Sequence, residues 1–248
     1  MYFDFKTVSN FRDASIHNMS SGKIFRSAKL SKLSISERNK LEDLNIYKVI
    51  DFRDPREIKK SPDNLSPYLK ERYINLSISA QTLSRMVTAC KDNKDDAIYY
   101  EKVMEESYKL YLENHKNVWK DFFKILISSR GQPILYHCTA GKDRTGIASY
   151  LIQSLCGVEE NFINDSYLIS NDLLSSKEAV SEQQDTVQNP DKLVTPLMLS
   201  TLGKVKISYL NSAKNLIKEK YQSVKSYFLN ELGFNNQDLN ELLTIYKK

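Results

Sequence analysis

Between Pro133 and Gly157 the chain reads PILYHCTAGKDRTGIASYLIQSLCG. The opening PILYH is a short apolar run behind a proline, the length and composition of a buried strand. Past Thr145, residues Ile147, Ala148, Leu151, Ile152 and Leu155 recur at helical spacing and make one apolar stripe, with Gly157 placed to cap its C-terminus. His137–Gly146, HCTAGKDRTG, joins the strand's end to the helix's start. Strand, tight polar loop and helix form the unit from which parallel α/β sheets are assembled. Ligands of such sheets bind beyond the carboxyl ends of the strands, where helix amides point.

Working outward, further β-type runs lie at Lys23–Phe25, at Lys48–Phe52 (KVIDF) and at Tyr73–Leu76. Between the first two, SISERNKLEDLN places Ser34 and Glu37 at capping-box spacing and predicts a helix. From Asp95 to Ser128, Ile98, Val103, Leu110, Val118, Phe122, Ile125 and Leu126 suit one or two helices, with a break near Asn114–Asn117. From Val158 onward the chain reads as almost wholly helical. The exception is Ser175–Pro196, polar and with two prolines, which is expected to be mobile or partly ordered. The tail NNQDLNELLTIYKK begins with capping residues and ends with cations, as a terminal helix should. The expected architecture is α/β, a central mostly parallel sheet flanked by helices with a helical C-terminal part. It is expected to form one domain over residues 1–248.

Composition narrows the function. The 248 residues are 41% hydrophobic and 27% charged, ordinary for a globular protein. Three cysteines (Cys90, Cys138, Cys156) without paired spacing predict no disulfide framework, and with only three scattered histidines they predict no zinc cluster. No apolar run reaches the ~18 residues of a membrane span, and MYFDFKTVSN lacks the blocks of a signal peptide. A cytoplasmic setting is expected, with signal-free export left open. The net charge of +5 permits anionic partners, including peripheral membrane contact. Acids interleave with the bases, however, as in KLEDLNIYK, so the reading is solvated helix faces and no nucleic acid. Only seven glycines occur, about 3% against a usual ~7%. Two of them, Gly141 and Gly146, fall within six residues, which marks a tight backbone there.

In that loop a cysteine is followed by five residues and an arginine. The segment is short enough to curl around a tetrahedral oxyanion with its amides turned inward. Arg144 adds a planar fork matched to two phosphate oxygens. A thiol at a helix N-terminus beside a guanidinium is stabilised as the thiolate, the form that attacks phosphorus. Thr145 offers a hydroxyl within reach of the sulfur, and His137 is placed to support the loop's backbone. A Walker A loop would need Ser or Thr directly after its lysine, where Asp143 stands. The plain alternative, that Cys138 is only a buried apolar-like cysteine, leaves the ordered Lys, Asp, Arg and two glycines without a purpose.

HCTAGKDRTG resembles the tyrosine phosphatase signature of His-Cys, five residues, then Arg and Thr or Ser. More narrowly, the chain is similar to bacterial tyrosine phosphatases with an HC-x-AGKDRTG loop, many of which act on phosphoproteins and phosphoinositides. The likeness runs nearly full length, through NFRD (Asn10–Asp13), FRSAKLS (Phe25–Ser31), VIDFRDPREI (Val49–Ile58), NDSYLISN and YQSVKSYFLNELG. It implies a tyrosine-phosphatase-like fold, no cofactor and no metal, with a phosphorylated protein or phosphoinositide as substrate. It implies Cys138 as the nucleophile that forms a phosphocysteine. Arg144 and the amides of Thr139, Ala140, Gly141 and Lys142 would hold the phosphoryl group, with Thr145 beside them.

Two departures stand out. The family opening continues NFRD-x-GG, where this chain has Ala14 and Ser15. Some relatives carry an aspartate after the third strand as general acid, whereas Asn75–Thr82, NLSISAQT, holds no carboxylate. Asp143 is therefore the expected acid, with a purely loop-ordering role as the alternative. The side chain of Lys142 is expected at the rim of the site, beside a second phosphate of an inositol ring. Asp51 and Arg53 are expected in structural ion pairs with Glu57 or Arg26. A phosphate-binding module without catalysis is the reading from a different functional class.

Overall fold

The structure, a computed structural model, describes residues 5–79, 81–92, 95–174 and 194–248. The sheet is built from β1 (Arg12–Asp13), β2 (Ile24–Ser27), β3 (Lys48–Asp51), β4 (Tyr73–Asn75) and β5 (Ile134–His137), in the spatial order β1-β2-β5-β3-β4. All neighbours are parallel except the short edge strand β1, which runs antiparallel to β2. The four longer strands match the runs anticipated from composition to within a residue or two at each end. Two-residue β1 has no period to betray it and is visible only as a partner of Phe25 and Arg26.

Side chains alternate across the sheet, as strand geometry requires. Ile24, Ile50, Ile134 and Tyr136 enter a large core on one face, while Phe25, Val49 and Leu135 enter a smaller one on the other. The smaller core is closed by α1 (Ile35–Asp43), which contributes Leu41, and by the short α3 (Pro67–Lys70), which contributes Leu69. The predicted Ser34/Glu37 capping box is present. The larger core is covered by α5 (Ala97–Glu113), α6 (Lys116–Ser128) and α7 (Arg144–Leu155), with the expected break falling at Asn114 and His115. Behind them lie α8 (Glu160–Leu173), α9 (Pro196–Gly203), α10 (Ile207–Tyr221), a helical turn that passes into a π-helical one at Tyr227–Glu231, and α11 (Asn236–Tyr246). Most of the segment expected to be mobile, residues 175–193, lies outside the described residues.

β5 sits mid-sheet between β2 and β3, and all three carboxyl ends point the same way. Ser27, Asp51 and His137 lie in register, so the loops that leave these strands converge at one edge. The HCTAGKDRTG loop leaves from the centre of that edge. α2 (Pro55–Lys60) leaves β3 beside it, and α4 (Thr82–Lys91) follows β4. Among the described residues, no helix is long and apolar enough to cross a membrane.

Candidate active site

The loop from Cys138 to Asp143 is shaped by its carbonyls. His137 Nδ1 lies 3.2 Å from the Cys138 oxygen. The Lys29 amide donates to Thr139 O at 3.0 Å. Asn10 Nδ2 donates to Ala140 O and Gly141 O at 3.1 and 2.8 Å. Arg26, fully buried, donates to Gly141 O at 2.7 Å and to Lys142 O at 3.4 Å. Five consecutive carbonyls are thus held from outside the loop. The amides of Thr139, Ala140, Gly141, Lys142 and Asp143 have no acceptor among the described residues. Buried amides without partners are rare in proteins, and a ring of them is an anion cradle.

Both glycines have a structural reason. Gly141 takes φ +66, and a Cβ there would lie 2.1 Å from Ser27 O, so only glycine lets the loop lie against β2. Gly146 lets the ring of Tyr167, from α8, approach to 3.1 Å of where a Cβ would be. Gly141 and Thr145 sit behind the loop, whereas Cys138, Thr139, Ala140, Lys142, Asp143 and Arg144 face a cavity of about 750 Å³. Its other walls include Thr82, Met104 and Tyr111, and Leu199 and Leu202 of α9.

Arg144 opens α7 and is held by Glu57, the third residue of α2. Nη1 and Nη2 donate to the two Glu57 oxygens at 2.7 and 2.8 Å. Nη1 also reaches Ile78 O at 3.1 Å, and Nη2 reaches the Thr139 hydroxyl at 3.3 Å. The Thr139 hydroxyl in turn donates to Glu57. Glu57 is itself fixed by its reciprocal capping box with Asp54. Burial pushes the Glu57 carboxyl up. The charge of Arg144, its hydrogen bonds and those of Thr139 and the Asp54 amide outweigh burial and bring the carboxyl down to about 2. The Nε–H of Arg144 has no acceptor among the described residues, which leaves that edge of the fork for a phosphoryl oxygen.

Replacing Glu57 by Gln leaves the buried Arg144 without its counter-charge. Stability is expected to fall by about 3 kcal/mol, the scale for breaking a buried pair. The folded carboxyl titrates at about 2, below its unfolded value of ~4.3. The stabilisation is therefore complete above pH ~4.3 and fades as pH falls towards 2. Urea unfolding of the two proteins from pH 7 to pH 2 checks this, and the gap between them should narrow only in that acidic window. The kcat of the variant should drop by up to ~10²-fold as the fork loses its orientation. A variant as stable and as active as the parent would show that Glu57 is dispensable.

Asp51 and Arg53 pair with each other and with Asp63, not with Glu57 or Arg26 as expected. Arg53 Nη2 lies 2.8 Å from both Asp51 Oδ2 and Asp63 Oδ2. Glu57 was unavailable because Arg144 holds it, and Arg26 is turned to the loop carbonyls. His137 completes this buried cluster. Its Nε2 lies 3.2 Å from Asp63 Oδ2. Burial pulls the imidazolium down, but the charges of Asp51 and Asp63 prevail and raise its pKa. Asp51, Asp63 and His137 bring three potential metal-ligating atoms within 4.8 Å of one another. The Arg53 guanidinium already supplies the cation that these carboxylates need.

Asp143 faces the cavity at the start of α7. The hydroxyl of Tyr108, from α5, donates to its Oδ1 at 2.6 Å, and Tyr108 and Tyr167 share a 2.6 Å hydroxyl contact. Oδ2 lies 3.5 Å from Lys142 Nζ. Lys142 does not rise to the rim. Its ammonium donates to Leu202 O and, at 3.2 Å, to Lys204 O, at the end of α9, and the residue is 3% exposed. The Thr145 hydroxyl is buried without a hydrogen-bond partner among the described residues, so it does not bind the sulfur.

Residues 3–248 match the sequence model of the tyrosine phosphatase family. The chain belongs to that family. As a member it is a cysteine-loop phosphatase acting on a phosphorylated substrate, and its mixed α/β sheet is the one the family implies. Relatives at this level are distant. A Cupriavidus necator protein described as a tyrosine-protein phosphatase is 26% identical over 92% of the chain and 83% of its own length. The triple specificity protein phosphatase PtpB of Mycobacterium tuberculosis is 27% identical over 94% of each chain. A tyrosine-protein phosphatase of Nostoc commune is 30% identical over 64% of this chain and 52% of its own.

Reasoning from sequence missed four residues that build the site: Asn10, Arg26, Glu57 and Tyr108. The first three stand within family-like stretches, and the Asp54/Glu57 capping-box spacing was available as a sign of a fixed carboxylate. Tyr108 carried no signal beyond helix spacing.

Proposed function

We propose that the protein hydrolyses phosphotyrosine monoesters through a covalent phosphocysteine on Cys138, without metal. The observation that carries the reading is the convergence of five uncommitted amides and the Arg144 fork beside the cysteine, at one end of a 750 Å³ cavity. A cavity of that size accommodates a substituted aromatic ring with its flanking groups. In the first step the Cys138 thiolate forms an S–P bond as the ester P–O bond breaks, and Asp143 Oδ2 gives its proton to the departing tyrosyl oxygen. In the second step Asp143 takes a proton from water. The oxygen of that water attacks phosphorus, the S–P bond breaks, and inorganic phosphate and the thiolate are released. The amides and Arg144 meet the charge that gathers on the equatorial oxygens in both transition states.

Specificity beyond phosphotyrosine, as in the relative named for triple specificity, would draw on the same cradle. The sequence suggested that Lys142 would favour phosphoinositides. Its ammonium is occupied by the carbonyls that end α9, so phosphotyrosine is the preferred reading.

A panel of phenyl phosphate, phosphotyrosine peptide, phosphoserine peptide and soluble inositol phosphates, assayed with and without a chelator, tests the proposal. Turnover of the aryl esters, unchanged by chelation, is expected. A strict need for divalent ion, or inactivity on every aryl phosphate, would overturn it and revive the reading as a silent phosphate-binding module.

A further inference from the structure

Asp143 stands at the N-cap of α7, where an aspartate usually turns its carboxylate onto the amides of the first turn. It makes no such bond. Its Oδ1 accepts from the Tyr108 hydroxyl instead, at 2.6 Å, the carboxyl's one hydrogen bond among the described residues. Lys142 Nζ, 3.5 Å from Oδ2, adds an ion pair. A carboxylate can only accept, so the single hydroxyl proton of Tyr108 points at Oδ1. In its 2.6 Å contact with Tyr167 the Tyr108 oxygen is then the acceptor, and the chain of donors runs from Tyr167 to Tyr108 to Asp143. Burial first, and then the charge of Asp143, push both tyrosines well above their usual pKa, so both hydroxyls keep their protons. The ring of Tyr167 lies against Gly146, where a Cβ would stand 3.1 Å from it, so the last glycine of the loop makes room for this pair. Packing alone does not call for the hydroxyls. Tyr209 of α10 packs its ring against Tyr108, with centroids 6.0 Å apart, and is as deeply buried. Its own hydroxyl meets no partner among the described residues.

We propose that Tyr108, backed by Tyr167, is a positioning residue for the general acid: its hydroxyl holds the Asp143 carboxyl off the amides of α7 and toward the leaving oxygen. The inference rests on the reading of Asp143 as the acid that serves the phosphotyrosyl oxygen, and it adds what aims that acid. Without the hydroxyl, the carboxyl is free to take the capping position that the start of a helix favours. A carboxyl turned back onto α7 protonates no leaving group. Misplacement of a reacting group by about 1 Å costs on the order of 10²-fold in rate. The loss falls where the acid is needed and spares esters whose oxygen departs unprotonated. Disorder of the loop as a whole would instead slow every ester and weaken its grip on an anion.

The test compares the full-length parent with Tyr108→Phe, Tyr167→Phe and Tyr209→Phe on aryl phosphates whose phenols run from strongly to weakly acidic. The readout is kcat/KM, which reports the steps up to P–O cleavage, and vanadate affinity checks the amide cradle. Tyr108→Phe is expected to lower kcat/KM about 30-fold on phenyl phosphate and about threefold or less on 4-nitrophenyl phosphate. Vanadate should bind as tightly as to the parent. Tyr167→Phe should show the same tilt at about a tenth of the size, since it acts through Tyr108. Tyr209→Phe, which removes a hydroxyl without a partner, should follow the parent. Adding Tyr108→Phe to Asp143→Asn should bring no further loss, because the tyrosine works through the carboxyl. A Tyr108→Phe series parallel to the parent's, or a full additional loss in the double variant, overturns the proposal. If Tyr108→Phe fails to fold, Tyr167→Phe decides, and a parallel series there overturns it equally. Should Asp143→Asn itself slow all esters alike, the acid reading falls. That outcome is told apart from failure of the tyrosines alone, in which Asp143→Asn tilts the series and Tyr108→Phe does not.

Discussion

Cys138→Ser is expected to reduce kcat on every phosphate monoester by ~10⁴–10⁶-fold, the scale on which loss of a covalent nucleophile is felt. A serine hydroxyl, unlike a thiolate, must lose its proton to a base as it attacks. The nearest imidazole, His137, is turned toward Asp63, Asp51 and the Cys138 carbonyl. Binding should survive, because nothing that holds the loop passes through the sulfur. Asn10, Arg26 and the Lys29 amide grip its carbonyls, and Glu57 grips Arg144. Calorimetric titration with vanadate or phosphate should give a dissociation constant near the parent's while turnover has vanished. Trapping of phosphate on a residue other than 138 during turnover by the parent protein would remove Cys138 from its role.

The second large effect is expected at Asp143. Asp143→Asn keeps the size of the side chain and can still accept from Tyr108, but it has no proton to give. Esters with poor leaving groups, such as alkyl phosphates and phosphotyrosine itself, should slow by ~10²–10⁴-fold. Esters of acidic phenols, whose oxygen departs without protonation, should slow far less. Tyr108 donates to Oδ1 at 2.6 Å and in turn meets Tyr167, and in the proposed mechanism the proton is passed from Oδ2, the oxygen 3.5 Å from Lys142 Nζ. Equal slowing of both ester classes would reduce Asp143 to an organiser of the loop.

What could be read from the letters and what could not divides along chain separation. The strand, loop and helix around Cys138 were legible because every signal lay within twenty-five residues: the apolar run, the helical stripe and glycines too costly to place idly. The Glu57–Arg144 fork was not, because the two residues are 87 positions apart and become neighbours only when β3 and β5 pair. Glu57 was assigned to Arg53, an error of geometry rather than of chemistry, since either guanidinium would satisfy a carboxylate. Asn10 stood inside a recognised stretch, yet its task depends on a left-handed backbone, φ 59, that the residue type permits but does not announce. Tyr108 sits at helix-packing spacing and does pack, with its ring against Tyr167 and Tyr209; only the hydroxyl serves the site. Lys142 was misjudged because the end of α9, which captures it, is sixty residues downstream.

The manner in which the loop is gripped also says what kind of object it is. Its six-residue curve owns none of the groups that hold it open. Those belong to residues 10, 26, 29 and 57, contributed by three separate pieces of chain that meet only at the edge of the finished sheet. HCTAGKDRTG transplanted between a strand and a helix of another protein would keep its letters and lose its scaffolding, with five mutually repelling amide dipoles free to scatter. The signature is thus not a portable module. It is the visible part of a larger inscription written across the first half of the chain.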